Sequence, residues 1–119
     1  MTGNRRQILI YTDGAASGNP GPGGYGIVMK YGDHRKEMSQ GYQVTTNNRM
    51  ELLAIIVALE QLKKKGSEVT VFTDSRYVSD AVGKGWVFDW QRKGFKKRKN
   101  PDLWKRFLKV FGKSTTPFL

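Results

Sequence analysis

The sequence predicts an α/β fold: a mixed sheet with three antiparallel strands first, a fourth strand parallel to the first, and helices packed on it. Three observations lead there. Three β-rich runs come first, separated by turn signals. A long stretch of helical period follows, with an apolar stripe too wide for a surface helix. A further short β-branched run comes next, so strand, crossover helix and strand pair in parallel with a right-handed connection.

Each element has a local reason. Gln7 to Thr12 (QILIYT) reads as a strand that stops at Asp13. The following DGAASGNPGPGG is too rich in Gly and Pro for a helix or an interior strand and reads as a loop. Tyr25 to Tyr31 regains strand character, Gly32 to His34 supplies a hairpin turn, and Arg35 to Val44 returns antiparallel. From Asn48 the period becomes helical, with Met50, Leu53, Ala54, Val57, Ala58 and Leu62 at spacings of three and four. Thr46, Asn47 or Asn48 can cap this helix, and Lys63, Lys64 and Lys65 followed by Gly66 end it. Val69 to Thr73 is the next strand, ending at Asp74. Asp74 or Ser75 then caps a short helix over Tyr77 to Val82. Trp86 to Trp90 reads as another helical turn and RKGFKKRKN as a basic, aromatic loop. A final helix runs from Pro101 to Val110, capped by Asn100, with Pro101 at its first position. The closing STTPFL reads as the start of a further element.

A chain of 119 residues allows one domain, 1–119, and 38% apolar residues suffice for a core. Having no cysteine, it has no disulfide framework, thiolate nucleophile or thiolate metal site. Its single histidine, His34, falls on a hairpin turn and rules out a histidine-rich zinc centre. No apolar run is long enough to span a bilayer and MTGNRRQ has no signal-peptide core, so the expectation is a cytoplasmic protein with no membrane partner. The net charge of +11 is uneven: residues 1–83 hold 10 basic and 8 acidic residues, whereas Lys84 to Lys113 hold 11 and 2. Such a block meets a polyanion, and a nucleic acid before others.

Three carboxylates stand out by position. Asp13 and Asp74 each end a strand, and if those strands are neighbours the two ends lie within about 10 Å. Glu51, in the first turn of the crossover helix, leans over the same edge, where open α/β sheets place their ligand sites. Three acids so close repel one another, and a divalent cation relieves that cost; oxygen-only donors suit Mg²⁺, with Mn²⁺ as a substitute. Paired metal ions there support phosphodiester cleavage. The competing reading is that Asp13 and Asp74 are merely turn or cap residues.

At this point the motifs are recognisable. YTDGAASGNPGPGGYG, TTNNRMELLA, FTDSRYV and WVFDWQRKGFKKRKNPDLW resemble, in order, segments of the bacterial type 1 ribonuclease H family, the last of them its basic protrusion, here residues 84–113 with the following helix. The resemblance implies a ribonuclease H-like sheet and endonucleolytic hydrolysis of the RNA strand in an RNA–DNA hybrid. It implies Asp13, Glu51 and Asp74 as catalytic metal ligands, and Asn19, Thr46, Asn47 and Asn48 as contacts to the substrate backbone. Trp86 is similar to the tryptophan beside the DNA-strand channel, Trp90 and Trp104 to core residues, and Lys93, Lys96, Lys97, Arg98 and Lys99 to phosphate contacts. Glycines 14, 18, 21, 23 and 24 would let the backbone approach the duplex closely.

The family pattern continues past the final helix with a fifth strand, a loop histidine and a last helix near a fourth catalytic aspartate; after Asp102 this sequence has no acid. The expectation is an incomplete domain with weakened hydrolysis and an open sheet edge. Such an edge favours dimerisation or strand exchange, where the family is monomeric. A non-catalytic hybrid-binding module, or a fragment working with a complementing chain, is the alternative.

Overall fold

In the computed structural model, which describes residues 7–62 and 68–111, the chain runs β1 (Gln7–Ala16), β2 (Gly21–Tyr31), β3 (His34–Thr45), α1 (Asn47–Glu60), β4 (Glu68–Phe72), α2 (Arg76–Gly83), α3 (Trp86–Arg92) and α4 (Pro101–Phe111). The sheet order is β3-β2-β1-β4. β1 and β2 pair antiparallel, as do β2 and β3, while β1 pairs parallel with β4 from Gln7↔Glu68 to Tyr11↔Phe72. The mixed sheet expected from the order of elements is therefore the one observed.

α1 is buried because its apolar residues cover more than one stripe. Met50, Leu52, Leu53, Ala54, Ile55, Ile56, Ala58 and Leu59 are all buried. Ile10, Ile27, Val69 and Val71 of the sheet complete this core, joined by Val78, Val87, Leu103, Trp104 and Phe107 from the later helices. α4 is held to α1 at its solvent side by the Arg106 guanidinium, which donates to both Glu60 carboxylate oxygens at 2.7 and 2.6 Å.

Two expectations change. The stretch after Asp13 is not a loop: β1 continues to Ala16 and pairs with β2 through Ala16↔Gly23, and only residues 17–20 turn, with a cis Asn19–Pro20 bond. Glycine favours the ladder here because backbones must come close. A Cβ on Gly23 would lie 2.5 Å from the Ala15 carbonyl oxygen, and one on Gly24 2.7 Å from that of Gln40. These glycines thus make room for the protein's own strands. Second, Asn100 caps α4 only through its carbonyl, which accepts from the Trp104 N–H; its side chain is used elsewhere. Asp102, exposed in the first turn of α4, is the partner of Arg49. The helix stop over Lys63 to Gly66 and the closing STTPFL lie outside the described residues. His34 opens β3, exposed, with its ring edge-on to Tyr31.

Candidate active site

The β1–β4 ladder ends at Tyr11↔Phe72, and Asp13 and Asp74 each stand two residues beyond it. Two carboxylates are thus carried to the same end of two adjacent strands by a symmetric offset. Asp13 remains in β1 opposite Gly26 of β2, while Asp74 lies in the turn before α2. Ser75, not Asp74, caps α2: its hydroxyl accepts from the Val78 N–H at 3.2 Å. Asp74 is exposed and is left free for other chemistry than capping.

Glu51 reaches this edge because α1 begins hard against β1. A Cβ on Gly14 would lie 2.6 Å from the Met50 carbonyl carbon and 2.8 Å from the Glu51 nitrogen. Thr46 caps the helix, accepting from the Arg49 N–H at 3.2 Å, and the Ala16 N–H donates to Asn47 Oδ1 at 3.3 Å. Helix start and strand end are therefore laced together, and Glu51 is carried with them. Its carboxyl is pushed above the usual glutamate range, first by burial and then by the charges of Asp13 and Asp74. Hydrogen bonds with the Gly14 backbone and the Thr73 side chain pull the other way.

Among the described residues, no group of three or more His, Cys, Asp or Glu side chains forms a ready-made metal cluster. The donor chemistry fits a hard divalent cation all the same: the acids at this edge offer only oxygen, and the charges of Asp13 and Asp74 add to burial in raising the Glu51 pKa.

Starting at Arg76, two residues after Asp74, α2 and α3 open a groove of about 750 Å³. Arg76, Tyr77 and Asp80 line it from α2, Trp86, Asp89 and Trp90 from α3, and Lys97, Arg98 and Lys99 from the basic loop, so cations outnumber acids. Lys84 sits 5.0 Å from the centre of the Trp86 ring, and Arg98 5.1 Å from that of Trp90. Trp86 is 45% exposed, so an aromatic face stands among cations, a surface suited to a nucleic-acid strand. Trp104 is fully buried as expected, but Trp90 is shared, edge-on to Trp104 in the core and lining the groove with Arg98 over its ring.

The remaining sequence candidates divide. Asn19 lies exposed on the β1–β2 turn, and Asn47 and Asn48 are exposed at the start of α1. The bond from Ala16 to Asn47 sets these two segments side by side. The Thr46 hydroxyl is committed to its cap. Lys93 does not line the groove; its ammonium lies 3.1 Å from Asp89, which also accepts from Arg92. Lys96 is exposed beside the groove rather than in it. Arg76, Tyr77, Asp89 and Arg49 were not singled out, although all four stand inside the quoted motifs: Arg76 lines the groove, and the other three act through partners that the motifs do not name.

A family model described as RNase H matches residues 5–117. The chain is 57% identical to the ribonuclease H of Desulforamulus reducens, over 90% of this chain and 70% of that protein. It is 48% identical to the ribonuclease HI of Synechocystis, over 99% of this chain and 77% of that one. Among solved structures, LC9-RNase H1, a type 1 RNase H with the type 2 active-site motif, superposes with a TM-score of 0.78 at 27% identity, covering 97% of this chain and 63% of the other. LC11-RNase H1 in complex with an RNA/DNA hybrid superposes with a TM-score of 0.63 at 30% identity, covering 94% and 84%. On these matches the chain belongs to the ribonuclease H family of hydrolytic nucleases.

Proposed function

We propose that this chain hydrolyses the RNA strand of RNA–DNA hybrids at a divalent-metal site built from Asp13, Glu51 and Asp74. The observation that carries the reading is geometric: Asp13 and Asp74 each stand two residues past the shared β1–β4 ladder, and Gly14 seats the first turn of α1, with Glu51, against the same strand. Such a trio repels a phosphodiester unless a cation lies between them, and a protein that only gripped hybrids would gain nothing from it. Mg²⁺, with Mn²⁺ as a substitute, would be held by these carboxylates, and when bound it supplies the positive charge that activates water and stabilises the leaving oxygen. The O3′–P bond of the RNA breaks, leaving a 3′-hydroxyl and a 5′-phosphate.

The rest of the surface selects and orients. Asn19, Asn47 and Asn48 lie where side-chain amides can read the 2′-hydroxyls of a wide minor groove, the group that separates RNA from DNA. Thr46, held by its cap, sets the backbone there and seats a phosphate of the DNA strand. Trp86 with Lys97, Arg98 and Lys99 grips that strand, and Lys93 and Lys96 add charge at the rim. Incubating a labelled hybrid with Mg²⁺ or Mn²⁺ tests the reading, with Asp13→Asn as control. Cleavage that Asp13→Asn abolishes, with binding retained, supports it. Binding without cleavage by the unaltered chain assigns a hybrid-binding module instead, and cleavage surviving in Asp13→Asn moves the chemistry away from these acids.

A further inference from the structure

The two halves of the proposed substrate surface are joined by one side chain. Arg49, in the first turn of α1, donates from Nη1 to Asn100 Oδ1 at 3.0 Å and to Asp102 Oδ1 at 3.1 Å, and from Nη2 to Asp102 Oδ2 at 2.8 Å. This is a two-pronged guanidinium–carboxylate pair with a third bond to the residue that closes the basic loop. Asn100 has a left-handed backbone, φ 59°, a conformation that asparagine tolerates better than most non-glycine residues. Its side chain ties the end of the loop to two helices: Oδ1 accepts from Arg49 and Nδ2 donates to the Tyr77 hydroxyl at 3.1 Å. That hydroxyl also accepts from Trp104 Nε1 at 2.8 Å, so the linkage runs from α1 through the loop to α2 and the core of α4. On its other side Arg49 is tied to the substrate turn, since its N–H is the one Thr46 caps.

We infer that Arg49 is a positioning residue, which with Asn100 and Asp102 fixes the spacing between the Thr46–Asn48 turn and the Lys97–Lys99 wall of the groove. The inference rests on the hybrid-cleaving function proposed for this chain. A duplex is a stiff ruler: contacts to one strand in the minor groove and to phosphates of the other add up only if the two patches sit at matching separation. Arg49 is not itself a phosphate contact, because its fork is already taken by Asp102 and Asn100. Nor is the pair a major source of stability, since the Arg49 and Asp102 side chains are 34% and 62% exposed and screened by solvent. Its contribution is geometry.

The test uses the full chain with Arg49→Ala, Arg49→Lys and Asp102→Ala, and measures binding of a fluorescent RNA–DNA hybrid and of a single-stranded DNA of equal length, both in EDTA, alongside thermal unfolding. Asp102→Ala is decisive. Removing an acid strengthens attraction to any polyanion, so charge alone makes Asp102→Ala bind more tightly, whereas positioning makes it bind more weakly. Expected is a loss of hybrid affinity of about tenfold in Asp102→Ala and in Arg49→Ala. Single-stranded DNA, which adapts to either spacing, changes by less than about twofold. Arg49→Lys keeps the charge but not the fork, and restores only part of the loss. Hybrid affinity that is unchanged or tighter in Asp102→Ala overturns the inference, as does a fall in thermal stability with binding intact. Should Arg49→Ala fail to fold, Asp102→Ala and Arg49→Lys decide between the same outcomes. An unaltered chain that binds no hybrid overturns the functional reading itself, which separates that failure from this one.

Discussion

Gly14 of β1 lies against the main chain of Glu51 so closely that a Cβ there would stand 2.8 Å from the Glu51 nitrogen and 2.6 Å from the preceding carbonyl carbon. Both neighbours are backbone, so no rotamer change can relieve the contact. Gly14→Ala must therefore lever the first turn of α1 away from β1, and Glu51 away from Asp13. The expected cost is about 1–3 kcal/mol of stability, the usual range for overpacking. Cleavage per folded molecule should drop by about a hundredfold, because an acid displaced by an ångström no longer shares its site. Denaturant unfolding and single-turnover hydrolysis, measured together, check both; a fully active Gly14→Ala would show that this contact does not place Glu51.

The tryptophans separate binding from folding. Trp104 is fully buried and donates its indole N–H to Tyr77, whereas Trp86 is 45% exposed under the Lys84 ammonium. Trp104→Ala should cost about 3–5 kcal/mol of stability by leaving a cavity in the core. Trp86→Ala should leave the unfolding midpoint almost unchanged and weaken hybrid binding by about 1 kcal/mol, the loss of one aromatic face among cations. Equal stability losses in the two variants would contradict the assignment of one to the core and the other to the groove.

The same contrast between local pattern and tertiary setting explains how much was legible in the sequence. α1 declares itself because Met50, Leu53, Ala54 and Ala58 repeat at helical spacing, directly after a threonine whose hydroxyl can cap the first turn. Asp13 and Asp74 are legible because each closes a β-branched run, and the parallel register then carries both to one edge. Residues 14–24 were illegible for the opposite reason. Glycine and proline weaken a strand by propensity, yet Gly23 and Gly24 are the residues that allow three backbones to lie together. Arg49 and Asp102 are separated by 53 positions, and no local pattern marks a pair that only the folded chain brings together. Positional chemistry reads off the chain; tertiary partnership does not.

Asp102 also sets a pH dependence. Its carboxyl is held below the ordinary aspartate range, chiefly by the hydrogen bonds from Arg49. A carboxyl whose pKa is depressed on folding adds stability that is fully present above its unfolded value and is lost as pH falls through the folded one. The stability difference between the unaltered chain and Asp102→Asn should therefore be steady near neutrality. It should shrink as pH falls from the ordinary aspartate value through the depressed one. The side chain is 62% exposed, so the difference is small and fades further in high salt. Urea midpoints across that pH range give the comparison, and a difference that widens on acidification would mean that folding raises the Asp102 pKa instead of lowering it.

Lys93 belongs to the basic block by sequence but not by geometry, because Asp89 already holds it at 3.1 Å and holds Arg92 as well. A cation that must leave a carboxylate to meet a phosphate contributes little net counterion release. Lys99, which lines the groove, has no such competitor among the described ion pairs. Lys99→Ala should reduce the slope of log affinity against log salt by roughly 0.9, one phosphate contact's worth, and Lys93→Ala by less than about half of that. Asp89→Asn frees both cations, so it should steepen the slope and tighten hybrid binding at low salt, an advantage that vanishes as salt rises. Titrations of a hybrid at several salt concentrations in EDTA measure all three slopes. If Lys93→Ala and Lys99→Ala prove equal, the Asp89 pair opens freely on binding and places no limit on the grip of this face.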